Sequence, residues 1–290
     1  MASQRTATLT GLAAILLWAS LAVLTTATGN LPPFQVLAVS FGIAALLGLA
    51  RAALRGAAGW RELRQPGAAL ALSTLALFGY HALYFIALKR APAVEANLLN
   101  YLWPLLIVVF AGLVGGVTVR AGQWAGTLLG LVAAALLVTR GHGLQVDRTH
   151  VPGYLAALGA AVIWAAYSVL NRRFADVPTA AITVACAGVS VLGAAVHLLF
   201  ERTVAPDATQ WLVLAVMGAG PVGAAFWLWD HGTKRGDIAL LGSLSYLAPL
   251  LSTLLLVISG RAEPHGIQAV AIAMLLAGAW VSVRSSRATR

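Results

Sequence analysis

Ten apolar runs of about 20 residues, separated by short polar joints, constrain this chain more than any other feature. They cover approximately residues 8 to 27, 33 to 51, 67 to 88, 94 to 117, 122 to 139, 151 to 171, 179 to 199, 210 to 231, 238 to 259 and 266 to 284. At a rise of 1.5 Å per residue, a helix of about 20 residues crosses a hydrocarbon core about 30 Å thick. A membrane β-barrel would instead alternate apolar and polar residues over segments of about ten, and "AAILLWASLAVL" does not alternate. With 60% of the 290 residues hydrophobic and 10% charged, there is too little polar surface for a soluble fold. The expected class is an all-α integral membrane protein of ten transmembrane helices. The first run could also be read as a secretory signal ending near "TTATG", but it exceeds the usual signal core and recurs later, so it is read as mature structure.

The net charge of +10 lies in the joints rather than on a soluble face, which argues against a nucleic-acid partner. With an even number of spans, one side holds 13 basic residues, namely Arg5, Arg51, Arg55, Arg61, Arg64, Arg120, Arg172, Arg173, Lys234, Arg235, Arg284, Arg287 and Arg290. The other side holds 6, namely Lys89, Arg90, Arg140, Arg148, Arg202 and Arg261. The excess predicts cytoplasmic termini. Cys186 is the only cysteine, which excludes an internal disulfide or a thiolate metal cluster and leaves it as small apolar filler.

The chain repeats itself. Trp18 in "LLWASLAVL" aligns with Trp164 in "VIWAAYSVL" at an offset of 146. "KRAPAVEANLLNYLWPLL" from Lys89 aligns with "KRGDIALLGSLSYLAPLL" from Lys234 at an offset of 145, matching Tyr101 to Tyr246 and Pro104 to Pro249. The expected organisation is two five-helix repeats, residues 1 to 145 and 146 to 290, forming one transport domain. An odd number of spans per copy inverts the second copy in the membrane, so the halves relate by a pseudo-twofold axis in the membrane plane. Such halves provide two related conformations, each open to one side, although a duplication alone would also leave a repeat in a channel or scaffold.

The paired halves, Trp18 and Trp164, and the segment "GYHALYFIALKRAPAVEANLLNYLWPLL" identify a resemblance to the drug/metabolite transporter superfamily, in its ten-helix EamA-type branch. The resemblance covers nearly the whole length, and the quoted segment is most similar to aromatic amino-acid exporters of that branch. It implies a multi-pass protein of the bacterial inner membrane that exports amino acids. Related ten-span proteins carry other metabolites or nucleotide sugars.

Polar side chains inside a bilayer cost several kcal/mol unless satisfied, so they should face the bundle interior or a wet cavity. Tyr80, His81 and Tyr84 share one broad face of the third span. Asn97, Asn100, Tyr101 and Pro104 form a stripe on the fourth span, flanked by Trp103. The sixth span adds Trp164, Tyr167, Ser168 and Asn171, and the ninth adds Ser243, Ser245 and Tyr246. Together with Trp18, these are the candidate substrate-binding groups. Trp60, Trp124, Trp211 and Trp280 lie near span ends and suit interfacial belts, whereas Trp227 and Trp229 fit either role. His81 is either a hydrogen-bonded interior histidine or a proton carrier. Pro104 and Pro249 kink their helices as static bends or as hinges. Gly112/Gly116 and Gly126/Gly130 have the spacing for close helix packing, within the bundle of a monomer or, as the alternative, in a homodimer.

His142, His150, His197, His231 and His265 do not form a ligand set, no cofactor is called for, and nothing resembles a membrane hydrolase, so no enzyme is expected. Lys and Arg avoid span centres and carboxylates stay at joints or span ends, which disfavours an acid-coupled pump for cationic drugs. Glu95, after Pro92, caps a helix or meets a substrate amine. Lys89, Arg90, Lys234 and Arg235 suit headgroup anchoring. Aromatic rings, amides and hydroxyls without net charge fit a zwitterionic, partly apolar solute, and amino acids match that chemistry. A uniporter or facilitator of amino acids is expected, among lipid as the other partner. The alternatives are an exporter of other metabolites or drugs, and a non-transporting receptor or scaffold.

Overall fold

The computed structural model describes residues 4–139, 147–260 and 266–287. The predicted positions Arg140, His142, Arg261, His265 and Arg290 lie outside the described residues. The first part of the chain forms α1 (Gln4–Trp18), α2 (Leu21–Ala27), α3 (Pro33–Leu54), α4 (Gly56–Leu63), α5 (Gly67–Arg90), α6 (Ala93–Asn100), α7 (Trp103–Leu113) and α8 (Ala121–Thr139). The second forms α9 (Val151–Leu170), α10 (Ile182–Phe200), α11 (Ala208–Ala219), α12 (Ala225–Arg235), α13 (Ile238–Leu244), α14 (Leu247–Ile258) and α15 (Gly266–Arg287).

Among the described residues, seven continuous helical stretches are long and apolar enough to cross a membrane. Shorter apolar helices, Ala121–Leu136, Ile238–Ser252 and Ala269–Ser285, occupy the remaining three predicted runs. The run predicted over 210 to 231 extends further, because the helix continues to Arg235. The surface is inverted relative to a soluble protein. Leu75 and Val191 are 64% and 69% exposed, while Asn100, Thr127, Ser168, Asn171 and Asp230 are buried.

Local chemistry sets the ends and breaks of these helices. Proline opens α3, α7 and α9 in the first turn, where its missing N–H costs nothing. Asp207 and Gln210 form a reciprocal capping box at the start of α11. The α3 N-terminus is capped from another helix, since Glu201 accepts hydrogen bonds from Phe34 N and Gln35 N at 3.2 Å. Glu201 is held in turn by His197 Nδ1 at 2.9 Å. Gly116, at φ +62°, is a turn residue beyond α7, so it does not serve the helix packing expected from its spacing with Gly112. Gly126 and Gly130 do serve it: an added Cβ would lie 2.4 Å from Gly278 O and 2.4 Å from the Tyr246 ring, respectively.

The most extensive helix pairings join α8 to α15, α3 to α10, α5 to α9 and α1 to α12. Each pairs a helix from before residue 145 with one from after it, so the main core is built across the two parts. In the α1/α12 pairing, Gly11 and Gly232 meet backbone to backbone, and a Cβ on Gly232 would lie 2.5 Å from Gly11 Cα.

Candidate functional site

Breaks in helices bring the aromatic residues together. The regular α-helical hydrogen-bond ladder is interrupted between α1 and α2, just after Trp18, and between α6 and α7, just before Trp103. A π-helical turn, Gly220–Ala224, interrupts the helix between α11 and α12 around Pro221. Trp18 Nε1 donates to Pro221 O at 3.0 Å, so the first break is tied to the π turn.

Four indoles meet at this crossing. Trp18 lies 5.1 Å from Trp229, 5.5 Å from Trp164 and 6.5 Å from Trp103, centroid to centroid. Trp164 and Trp229 stack at 6.1 Å, and Trp229 Nε1 donates to Ser168 Oγ at 3.1 Å. Phe226 joins them at 5.8 Å from Trp18 and stacks on Phe41 of α3. Edge-to-face and tilted contacts of this kind contribute about 0.5–1.5 kcal/mol each beyond the area they bury. The cluster is therefore a rigid centre with contributions from α1, α3, α7, α9 and α12.

A polar wall adjoins it on α5 and α6. Tyr80 lies 5.4 Å from Trp164 and stacks on Tyr84 at 6.1 Å. Tyr84 donates to Asn97 Oδ1, and Asn100 Nδ2 donates to Tyr80 Oη at 3.3 Å. Asn100 Oδ1 and Glu95 Oε2 are buried acceptors without a hydrogen-bond partner. Tyr80, Tyr84, Asn97 and Tyr101 are half-buried, and Tyr101 occupies the break after α6. His81 Nδ1 donates to Leu77 O at 2.7 Å while its ring packs on Phe41 and Tyr80. This is the arrangement of a hydrogen-bonded interior histidine.

The structure thus gathers Trp18, Tyr80, His81, Tyr84, Asn97, Asn100, Trp103, Trp164 and Tyr167 into one aromatic and amide surface, with Tyr167 packed 5.6 Å from Trp164. Asn171, Ser243 and Tyr246 have other partners. Ser243 Oγ lies 2.6 Å from Thr127 Oγ1 on α8, and Tyr246 is buried against Gly130 of the same helix. Pro104 and Pro249 both fall in the first turn after a break, Leu102 or Tyr246 marking the start of the next helix.

Asn171 leads to a group that sequence reasoning passed over. Its Nδ2 donates to Asp230 Oδ1 at 2.7 Å, and Thr179 Oγ1 donates to Asp230 Oδ2 at 2.8 Å. Lys234 Nζ lies 2.9 Å from Asp230 Oδ1 and donates to Val177 O at 3.1 Å. Asp230 and Lys234 are 1% and 8% exposed, so Lys234 is not a headgroup anchor as its position at a span end suggested. Its charge is neutralised one helical turn away, and that lets the helix remain buried through Lys234. Lys89, Arg90 and Arg235 are exposed, as expected. Trp229, left open by the sequence, is a central member of the cluster, and Trp227 lies beneath the Arg51 guanidinium at 5.0 Å. Of the four tryptophans expected near span ends, Trp60, Trp211 and Trp280 are exposed and Trp124 is half-buried. Among the described residues no group of His, Cys, Asp and Glu could hold a metal ion.

Apolar helices wrapped around a buried polar and aromatic centre define a multi-pass membrane protein. The chain belongs to the EamA-like transporter family, whose profile matches it twice, over residues 5–139 and 151–284. It is 48% identical to the aromatic amino acid exporter YddG of Ancylobacter novellus, over 98% of this chain and 99% of that one. It is 28% identical to the aromatic amino acid exporter YddG of Escherichia coli K12, over 87% of this chain and 88% of that one. A solved crystal structure superimposes with a TM-score of 0.93 at 46% identity, covering 99% of this chain and all of the other. The protein is accordingly a multi-pass transporter-family protein of the bacterial inner membrane, as the sequence resemblance implied.

Proposed function

We propose that this protein exports amino acids, with aromatic and other apolar ones favoured, by alternating access between two inverted five-helix halves. The observation that carries the reading is the continuous surface from the four-indole cluster to Tyr80, Tyr84, Asn97 and Asn100. Indole faces accept an apolar side chain and attract an ammonium group, while amide and phenol groups bind the carboxylate. Asn100 Oδ1 is a buried acceptor without a hydrogen-bond partner, which an ammonium would satisfy. The names of the relatives support the same cargo.

The mechanism is supported by pairing symmetry. Exchanging the two halves converts the α1/α12 pairing into α5/α9 and leaves α3/α10 and α8/α15 unchanged. That pattern is what a twofold axis relating the halves requires, five spans per half would lay the axis in the membrane plane, and the family profile repeats in the same register. An even count of ten spans, together with the basic excess on one side, supports cytoplasmic termini. Residues 1 to 145 and 146 to 290 act as one transport domain, and the breaks at Pro104 and Pro249 act as its hinges. Cargo moves as through a uniporter, a reading supported by Asp230, a buried acidic group already neutralised by Lys234.

Proteoliposomes containing the whole chain should accumulate labelled phenylalanine and tryptophan in counterflow, at a rate unchanged when a proton gradient is collapsed. Absence of flux for any aromatic or aliphatic amino acid would overturn the cargo, and a rate that follows the proton gradient would overturn uniport.

A further inference from the structure

The Asp230–Lys234 pair has more structure around it than a span end needs. Removing an ion from water costs several kcal/mol even after relaxation, and a buried pair is often no more stabilising than apolar residues of the same volume. Here both charges are nonetheless provided with further partners: Asn171 and Thr179 on the carboxylate, and Val177 O on the ammonium. All three partners lie in the connection between α9 and α10. Arg172, in the same connection, donates to Thr233 O at 2.9 Å and Gly236 O at 3.2 Å. The pair and its neighbours therefore clamp that connection onto the end of α12, on the side assigned to the cytoplasm.

Two further observations concern position. Asp230 directly follows Trp229 of the indole cluster, and Asn171 lies two helical turns from Trp164 on the same face of the chain. The clamp is thus the polar end of the aromatic surface. In the first half the aligned residues are Phe85 and Lys89, and Lys89 is exposed, so the repeat does not reproduce this lysine–aspartate pair. A buried lysine–aspartate pair that the aligned positions of the first half lack is suited to the uptake step of an exporter.

We propose that Asp230 and Lys234 form the binding site for the zwitterionic head group of the cargo when the protein is open to the cytoplasm, Asp230 taking the ammonium and Lys234 the carboxylate. An amino acid offers the complement of both charges at once. Inserting it replaces one ion pair by two, adds no net charge to the site, and releases the connection that the original pair held. The closed pair is then the empty site bonded to itself. A solute with only one of the two charges leaves the other partner unpaired, which costs much more than losing a neutral hydrogen bond. This site rests on the amino-acid export proposed above and deepens it.

The test uses proteoliposomes of the whole chain, with substrate presented to the cytoplasmic face. Phenylalanine is the substrate, and phenylethylamine and 3-phenylpropionate, which lack the carboxylate and the ammonium respectively, are competitors. Wild-type protein should be inhibited by each competitor about tenfold or more weakly than by unlabelled phenylalanine. Lys234→Met should raise the phenylalanine KM about tenfold or more and bring phenylethylamine close to parity with phenylalanine. The uncharged double variant D230N/K234M separates binding from packing. If the pair only holds the fold closed, this variant regains the wild-type KM and discrimination; if it binds the head group, both remain lost while the thermal unfolding midpoint returns towards wild type.

A folded double variant with wild-type KM and discrimination would overturn the site. If neither variant folds, the wild-type arm still decides, since equal inhibition by phenylalanine and either singly charged competitor would also overturn it. Failure of wild-type protein to carry any amino acid would instead count against the proposed function.

Discussion

The two copies of the broken helix, α6/α7 and α13/α14, share an aligned Tyr and Pro but are used in opposite ways. In the first copy, Asn97 and Asn100 reach Tyr84 and Tyr80 on α5, and Tyr101 is half-buried. In the second, Gly242 stands in place of Asn97 and packs so tightly that an added Cβ would be 2.9 Å from Val108. Ser245, in place of Asn100, donates to Leu241 O of its own helix at 2.7 Å, and Tyr246 is fully buried against Gly130. One copy presents polar groups to the centre and the other is sealed. Aligned sequence is thus used asymmetrically in the structure, and under the proposed alternating access that asymmetry corresponds to a state open on one side. The buried Lys234 and exposed Lys89 repeat the contrast at the helix before.

The comparison can be broken most directly by chemical access. Cys186 is the only cysteine and is buried, so single cysteines can be introduced without interference. N97C should react with a membrane-impermeant maleimide from the non-cytoplasmic side at least about tenfold faster than S245C does from either side. Equal rates would mean that the two breaks are equally open. The next effect is on stability: Gly130→Val drives a Cβ into the Tyr246 ring and should cost about 1–3 kcal/mol, read as a lowered thermal midpoint in detergent.

Y84F, which removes the bond to Asn97, should lower phenylalanine flux about threefold to tenfold and shift stability by only about 1 kcal/mol. A thermal midpoint that falls with flux intact would assign Tyr84 to packing. Trp18→Phe should lose about 1 kcal/mol by leaving Pro221 O without its indole donor. The smallest change is expected for Ser245→Ala, whose hydroxyl is bonded only to its own helix, within about 0.5 kcal/mol and with unchanged flux. A flux defect in that variant would show that the second break also meets cargo in the conformation not seen here.

Much of this was legible in the sequence because bilayer thickness fixes helix length. The run over 33 to 51 became Pro33–Leu54, and that over 67 to 88 became Gly67–Arg90. Proline marked the breaks at Trp103 and Leu247, since a missing donor and a ring clash act locally. The aromatic centre was legible where polar groups share a helical face, as for Tyr80 and Tyr84.

Burial of Lys234 was not legible, because a hydropathy reading ends a span at its first charged residues. Its partners lie on a distant connection, and nothing local to Lys234 announces Thr179 or Val177. Trp229 was undecidable for a similar reason. Its environment is made by Trp18 and Trp164, which belong to other helices. The bond from Trp18 Nε1 to Pro221 O at the π turn was equally hidden, being a tertiary contact spanning 203 positions.

The meeting of Gly11 and Gly232 bears on how such a molecule changes shape. Where two helices touch through bare backbone, no side chains interlock, so a small rotation or slide there forces no change of rotamer. Under the proposed alternating access, the Gly11/Gly232 crossing offers α1 and α12 a smooth pivot beside the toothed aromatic contacts of Trp18, and a bulky residue at Gly232 would force the two backbones apart.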